Sequence, residues 1–263
     1  MKAEQIEFYC KWFNEVCDEI KDSWILPVNC RGGTVIDCGS CVGGFPTVFN
    51  ARFDRYICYE ANPLNLSFSK HALQNVSEYN IAEQQKERKF RKFLKDEKKT
   101  DLPNPIDGTY NYNLYQSCVF ENKACHGTEG IKVPIYNHLN NCPGDCSIYL
   151  SDNHVEKNLV AHVPTITYDQ IREKYYCEKC QDPIELLKCD IEGAEYDFLI
   201  DKDLSIFKFI LLELHYRKED SKYSEILNLI KKTHDIVGTS ECDVLIMASL
   251  KSEFYYKNNS KHK

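Results

Sequence analysis

The chain has 263 residues, 43% of them hydrophobic and 28% charged, with a formal net charge of −7. That apolar fraction supports a real core, and 17 Tyr with 13 Phe are too many aromatics for a solvated coil, so disorder throughout is excluded. The acidic balance also excludes a general nucleic-acid coat, which needs a basic surplus, and leaves 14 cysteines as the unusual feature.

The N-terminus, Met1-Lys2-Ala3-Glu4-Gln5, lacks an apolar h-region, so no signal peptide is expected. No stretch approaches the roughly 18 uninterrupted apolar residues of a membrane span. A cytoplasmic chain with mostly reduced thiols is the expectation. Ile6, Tyr9, Cys10, Phe13, Val16, Cys17 and Ile20 recur at helical spacing, which predicts an amphipathic helix over 3–22 packed on the main domain.

Short apolar runs at 33–39, 56–60, 117–121, 184–190 and 207–214 read as buried strands, with two more candidates at 234–238 and 244–249. Helical patterns at 64–79, 193–201 and 221–233 separate several of them. Strand and helix alternating in this way predict an α/β sheet, mostly parallel and covered on both faces. Two stretches stand outside this pattern. The first, 83–105, carries Lys86, Arg88, Lys89, Arg91, Lys92, Lys95, Lys98 and Lys99. It reads as a solvated helix face or as a basic surface for an anionic partner such as nucleic acid. The second, 126–168, holds short β-like pieces and reads as an insertion. The whole is read as a single domain over 1–263, with 1–30 as an N-terminal helical extension.

Of only 11 glycines, Gly32, Gly33, Gly39, Gly43 and Gly44 crowd one short stretch, where the backbone must turn tightly or admit a ligand. The turn Asp37-Cys38-Gly39-Ser40-Cys41-Val42-Gly43 follows a strand and precedes a helix. Glu60 ends the next strand, roughly 20 residues on, where an acid can hold ribose hydroxyls. NAD and S-adenosylmethionine sites share this arrangement. The G-x-x-x-G spacing and the carboxylate of Asp37 lean toward the latter, because a carboxylate suits a cationic ligand and repels a diphosphate.

These residues resemble a known family. Val35-Ile36-Asp37-Cys38-Gly39-Ser40-Cys41-Val42-Gly43-Gly44-Phe45 resembles the first motif of FkbM-type methyltransferases, and Tyr59-Glu60-Ala61-Asn62-Pro63 looks like their second-strand motif. Leu187-Lys188-Cys189-Asp190-Ile191-Glu192-Gly193-Ala194-Glu195 resembles the family's hallmark segment. Asn122-Lys123-Ala124 with Gly130, and Thr165 to Asp169, match weaker positions. Family members commonly carry Asn where Cys41 stands and Thr or Ser where Pro46 stands.

The resemblance implies a class I methyltransferase (Rossmann-like) fold: a mostly parallel seven-stranded sheet with helices on both faces. It implies S-adenosylmethionine as cofactor and O-methylation of a sugar or similar small molecule. Carried over, Asp37, Gly39 and Gly43 line the methionine end, with Ser40 also among the cofactor-binding residues. Glu60 holds the ribose with Ala61 and Asn62 beside it, and Asn122 and Ala124 lie near the adenine. An inactive methyltransferase-like binding module, and a nucleic-acid methyltransferase using the basic 86–99 segment, are the alternatives. A small-molecule or glycan acceptor is the expected partner.

Proton removal from an alcohol acceptor needs a base at the carboxyl ends of the strands. Asp190 is the first choice, and His215 the second, as base or substrate contact. Glu195 reads as a helix-surface or capping residue. Asp190, Glu192, Glu213 and His215 need no metal to be explained, so none is expected; a hard cation held by them is the alternative. Cys142, Cys146, Cys177 and Cys180 form two close pairs that offer a tetrahedral zinc set or plain thiols. Cys58, Cys118 and Cys189 lie in apolar strands and read as core.

Overall fold

The computed structural model describes residues 3–24, 26–50, 52–74, 114–137, 146–150, 155–178, 182–240 and 245–254. The basic segment 83–105, Cys142 and Cys180 lie outside the described residues. In chain order the elements are α1 (Ala3–Ser23), β1 (Thr34–Cys38), α2 (Gly44–Val48), β2 (Arg55–Tyr59), α3 (63–74) and α4 (Leu114–Ser117). There follow β3 (Cys118–Glu121), β4 (Ala124–Cys125), β5 (Lys132–Tyr136), β6 (Leu159–Ile166), α5 (Tyr168–Tyr175) and β7 (Ile184–Cys189). The chain continues through α6 (Glu195–Leu199), β8 (Phe207–Glu213), α7 (Ser221–Thr233), β9 (His234–Thr239) and β10 (Leu245–Leu250).

The main sheet has seven strands in the order β3-β2-β1-β7-β8-β10-β9. Every pairing from β3 to β8 is parallel, and β10 alone runs antiparallel to both its neighbours. Period-two alternation sorts the strand side chains to two faces. Ile36, Ile57, Leu187, Ile210 and Ile246 meet α5, α6 and α7 through Ile171, Phe198, Ile226 and Ile230. Val35, Tyr56, Leu186, Phe209 and Met247 meet the other helical layer through Ile20, Trp24, Phe45 and Leu73. Covered on both faces, β7 is buried at every position, which is why it reads as an apolar run broken only by Glu185 and Lys188. Each such buried aliphatic or aromatic side chain contributes about 2 kcal/mol.

The predicted N-terminal helix is α1, and it lies on the sheet rather than beside it. A Cβ at Gly44 would stand 2.8 Å from Val16 and 2.9 Å from Ile20, so glycine at this point lets α1 settle against the start of α2. The stretch read as an insertion forms a second sheet, β4-β6-β5, whose Val133, Ile135 and Val163 pack with Ala124. One helix is shorter than its apolar pattern: α6 covers only Glu195–Leu199, because two left-handed residues, Glu192 and Gly193, occupy the preceding turn. No helix among the described residues is long and apolar enough to cross a membrane, and no disulfide joins the described cysteines.

Candidate active site

The carboxyl ends of β1, β2, β7 and β8 open into one cavity of about 490 Å³. Parallel strands direct their carboxyl ends to one edge, and the β1–β7 junction is where the chain order reverses, the usual place for a ligand crevice. α1 supplies one wall through Trp12, Val16, Glu19 and Ile20, with Trp24 just beyond its end, and the second sheet supplies another through Ala124, Cys125 and Ile135.

The glycine turn is held by backbone contacts. The amides of Gly39 and Ser40 both donate to the carbonyl of Tyr59, at 2.9 and 3.0 Å, and the Asp190 amide donates to the Cys38 carbonyl at 3.1 Å. Gly39 has φ +76°, and a Cβ there would lie 1.7 Å from the Asp190 carbonyl oxygen. Only glycine lets the ends of β1 and β7 approach so closely. Ser40 lines the cavity, and its buried hydroxyl has no hydrogen-bond partner among the described residues.

Glu60 sits at the end of β2, buried, with both carboxylate oxygens on backbone amides: Oε2 accepts from Cys41 at 2.6 Å and Oε1 from Asn62 at 2.7 Å. Burial pushes its pKa up to about 7, against the lowering effect of those two amides. Each oxygen keeps a lone pair for a second donor.

Not every residue expected at the cofactor reaches the cavity. Gly39, Ser40, Glu60, Ala61 and Ala124 line it; Asp37, Gly43, Asn62 and Asn122 stand behind it. Asp37 is fully buried, its Oδ1 3.4 Å from the Lys188 ammonium, which it supports from behind the cavity wall. Gly43 (φ +80°) makes room for Leu73, 2.5 Å from where its Cβ would be. Asn62 is turned away, its Oδ1 accepting from the Leu64 amide at the start of α3 and its Nδ2 meeting Cys146 Sγ at 3.2 Å. Asn122 donates from Nδ2 to the carbonyls of Glu60 and Ala61, at 2.8 and 2.9 Å, so it shapes the β2 loop. Asn62 and Asn122 share a reason: a short polar side chain beside a tight turn finds a local backbone partner before it finds a ligand.

The second half of the cavity is electrostatic. Lys188, 4% exposed, donates to the Gly39 carbonyl at 2.5 Å. Its Nζ lies 3.4 Å from both Asp37 Oδ1 and Asp190 Oδ2, and 5.2 Å from the Trp24 ring centroid. Burial pulls its pKa down, but Asp190 and Asp37 outweigh that and hold it well above the ordinary lysine value. Lys188 lies inside the hallmark segment but is not among the site residues that the sequence predicts. The signal that marks it is a lysine within an apolar run, since an unpaired ammonium there would be very costly.

Asp190 and His215 both line the cavity. His215 Nδ1 lies 2.9 Å from Glu195 Oε1, while its Nε2 lies 3.4 Å from Glu192 Oε2 and 3.8 Å from Asp190 Oδ1. Burial lowers the imidazole pKa, but the Glu195 hydrogen bond and the Glu192 and Asp190 charges raise it to about 10. Those neighbours favour the protonated ring at neutral pH. Of the two roles expected for His215, base or substrate contact, this charge favours the second. Glu195 is not a helix-surface residue: it is fully buried, and Oε1 also accepts from the Ile191 and Gly193 amides at 3.2 and 3.1 Å. Glu213, on the same wall, has its pKa raised by burial and by Asp190. Of the proposed cysteine set, Cys146 lies between Asn62 and Asn137, whose Oδ1 it meets at 2.8 Å.

A glycine turn, an acid at the end of the neighbouring strand and this strand order define a doubly wound α/β fold with a ligand crevice at its switch point. The sequence profile of the Methyltransferase FkbM domain matches residues 37–237. The chain belongs to the FkbM methyltransferase family. It is also similar to the crystal structure of Methyltransferase FkbM from Methylobacillus flagellatus KT, with a TM-score of 0.45 and 16% identity. That match covers 90% of this chain and 50% of the other, so the chain spans about half that protein's length. Comparison with curated proteins gave no match.

Proposed function

We propose that the chain, acting as one domain over 1–263, is an S-adenosylmethionine-dependent O-methyltransferase for a hydroxyl on a sugar or another small molecule. The observation that carries this reading is a single cavity with Ser40 and Glu60 on one side and Asp190, Glu213 and His215 on the other. The residues present suit the cofactor: an unpartnered buried hydroxyl at Ser40, a carboxylate with spare lone pairs at Glu60, and a turn that only glycine permits. When bound, S-adenosylmethionine supplies an activated methyl group on a sulfonium.

The chain's own residues then have separable tasks. Glu60 accepts from ribose hydroxyls, and the Gly39–Ser40 turn accommodates the amino-acid end. Asp190 takes the proton of the acceptor hydroxyl, its charge steadied by Lys188. The His215 imidazolium donates to an acceptor oxygen. Trp12 and Trp24 exclude water and give an acceptor ring a face to lie on. Positioning, more than covalent chemistry, supplies the rate. Glu19, Asp190, Glu192 and Glu213 make the acceptor side acidic, which favours neutral hydroxyl compounds over phosphorylated ones.

Calorimetry with S-adenosylhomocysteine tests the cofactor, and transfer of labelled methyl to a panel of neutral sugars tests the acceptor. One-to-one binding and turnover are expected. No binding would overturn the proposal, and binding without turnover on any acceptor would favour the binding module. Turnover on RNA alone would point to the 86–99 segment.

A further inference from the structure

At the β7 and β8 ends, Asp190, Glu192 and His215 bring one ligand atom each to within 4.8 Å of one another, and all three line the cavity. Each side chain is about one-quarter exposed, open enough for an ion to enter and buried enough to hold it. Behind them stands Glu195, with no exposure at all. One of its oxygens fixes His215 Nδ1, which turns Nε2 toward the two carboxylates. Its other oxygen is buried with no hydrogen-bond partner among the described residues. A carboxylate behind an imidazole, fixing its tautomer and orientation, is the usual support of a metal-binding histidine.

Charge points the same way. Among the described residues, Asp190, Glu192 and Glu195 all face His215, and Asp37 and Asp190 share Lys188. A cation held between Asp190, Glu192 and His215 would gain from each of these carboxylates.

We infer that Asp190, Glu192 and His215 form a binding site for one first-row divalent cation, with Glu195 as the residue that positions His215. Two carboxylates and one imidazole suit manganese-like and zinc-like ions better than magnesium, which prefers oxygen alone. The imidazole coordinates through Nε2, so any proton on Nε2 leaves to solvent as the ion binds. Bound there, the ion would offer the acceptor's oxygen a ligand position and lower the pKa of that hydroxyl, whose proton would leave to solvent; His215 would then serve as a ligand in place of the imidazolium donor described above. This last role rests on the function proposed above; the site itself does not.

The test uses the full chain stripped with a chelator. Manganese is titrated and the free ion is followed by its paramagnetic resonance signal, and zinc is titrated by calorimetry. One saturable site per chain is expected. Glu192→Gln and His215→Gln should each weaken it at least tenfold, Glu195→Gln by several-fold, and Glu173→Gln on exposed α5 not at all. Asp190→Asn also touches Lys188 and could unfold the chain, so the Glu192 and His215 variants decide the outcome. The inference fails if neither ion saturates a site at millimolar concentration, or if binding is unchanged in both of those variants. S-adenosylhomocysteine binding on the same sample separates the two claims. Cofactor binding without metal sinks this inference alone, and metal binding without cofactor sinks the proposed function alone.

Discussion

The two halves of the cavity are built by different physics. The half at the β1 and β2 ends is a backbone structure: Gly39, Ser40 and Cys41 are fixed by amides donating to Tyr59 and to Glu60, and Asn122 grips the carbonyls of the next loop. The half at the β7 and β8 ends is a side-chain structure, in which Lys188 and His215 stand among Asp37, Asp190, Glu192 and Glu195. A backbone site depends on where residues without side chains, or with accepting side chains, fall in one stretch of chain. A charge site depends on which side chains from separate strands converge.

That contrast is open to attack. The largest effect should come where the halves touch. Gly39→Ala drives a methyl into the Asp190 carbonyl and should cost about 4 kcal/mol or more of stability, seen as a collapse of the denaturant midpoint. Lys188→Met leaves Asp37 buried without its cation and should cost about 3–5 kcal/mol. Adding Asp37→Asn should recover a good part of that loss; a double variant as unstable as the sum of the singles would show that the two residues do not act as a pair.

Glu60→Gln replaces one of two acceptors with a donor facing an amide. It should weaken S-adenosylhomocysteine about 10- to 100-fold, or roughly 1.4–2.8 kcal/mol, in calorimetry. The same residue sets a pH dependence. Burial raises its folded pKa from 4.5 to about 7, so its stabilising effect is complete below the unfolded value and is lost as pH rises through about 7. Ligand binding runs the other way, because ribose hydroxyls need the ionised acceptor. Affinity for S-adenosylhomocysteine should fall from about pH 8 to about pH 6, and the Gln variant should be flat over that range. The smallest effect concerns Cys41, whose φ of +52° is a conformation that Asn tolerates better. Cys41→Asn should keep cofactor binding and add about 0.5 kcal/mol or less of stability, which a thermal melt of the two chains would resolve.

The strand and helix alternation, the amphipathic α1, the glycine turn and Glu60 are all legible in the sequence. Each depends on contacts or periodicities inside a short stretch of chain, or on one backbone conformation that few residues adopt. The places where the structure departs from the sequence pattern share a cause. Asp37, Asn62 and Asn122 are polar residues next to a ligand turn, and nothing in their order along the chain tells whether the side chain meets a ligand or a neighbour. The same holds for the N-terminal helix, whose Trp12, with Trp24 just after it, becomes a wall of the cavity once Gly44 lets the helix come close.

By itself, then, the order of residues determined the fold class, the family and the half of the site made of backbone. Tertiary structure alone decided that Lys188 stands between Asp37 and Asp190, that three carboxylates surround His215, and that Glu195 is buried behind it. Local backbone geometry is encoded within a few residues, whereas an electrostatic environment is a sum over groups from distant parts of the chain. That sum takes its value only when β1, β7 and β8 lie side by side and water has been excluded from their ends.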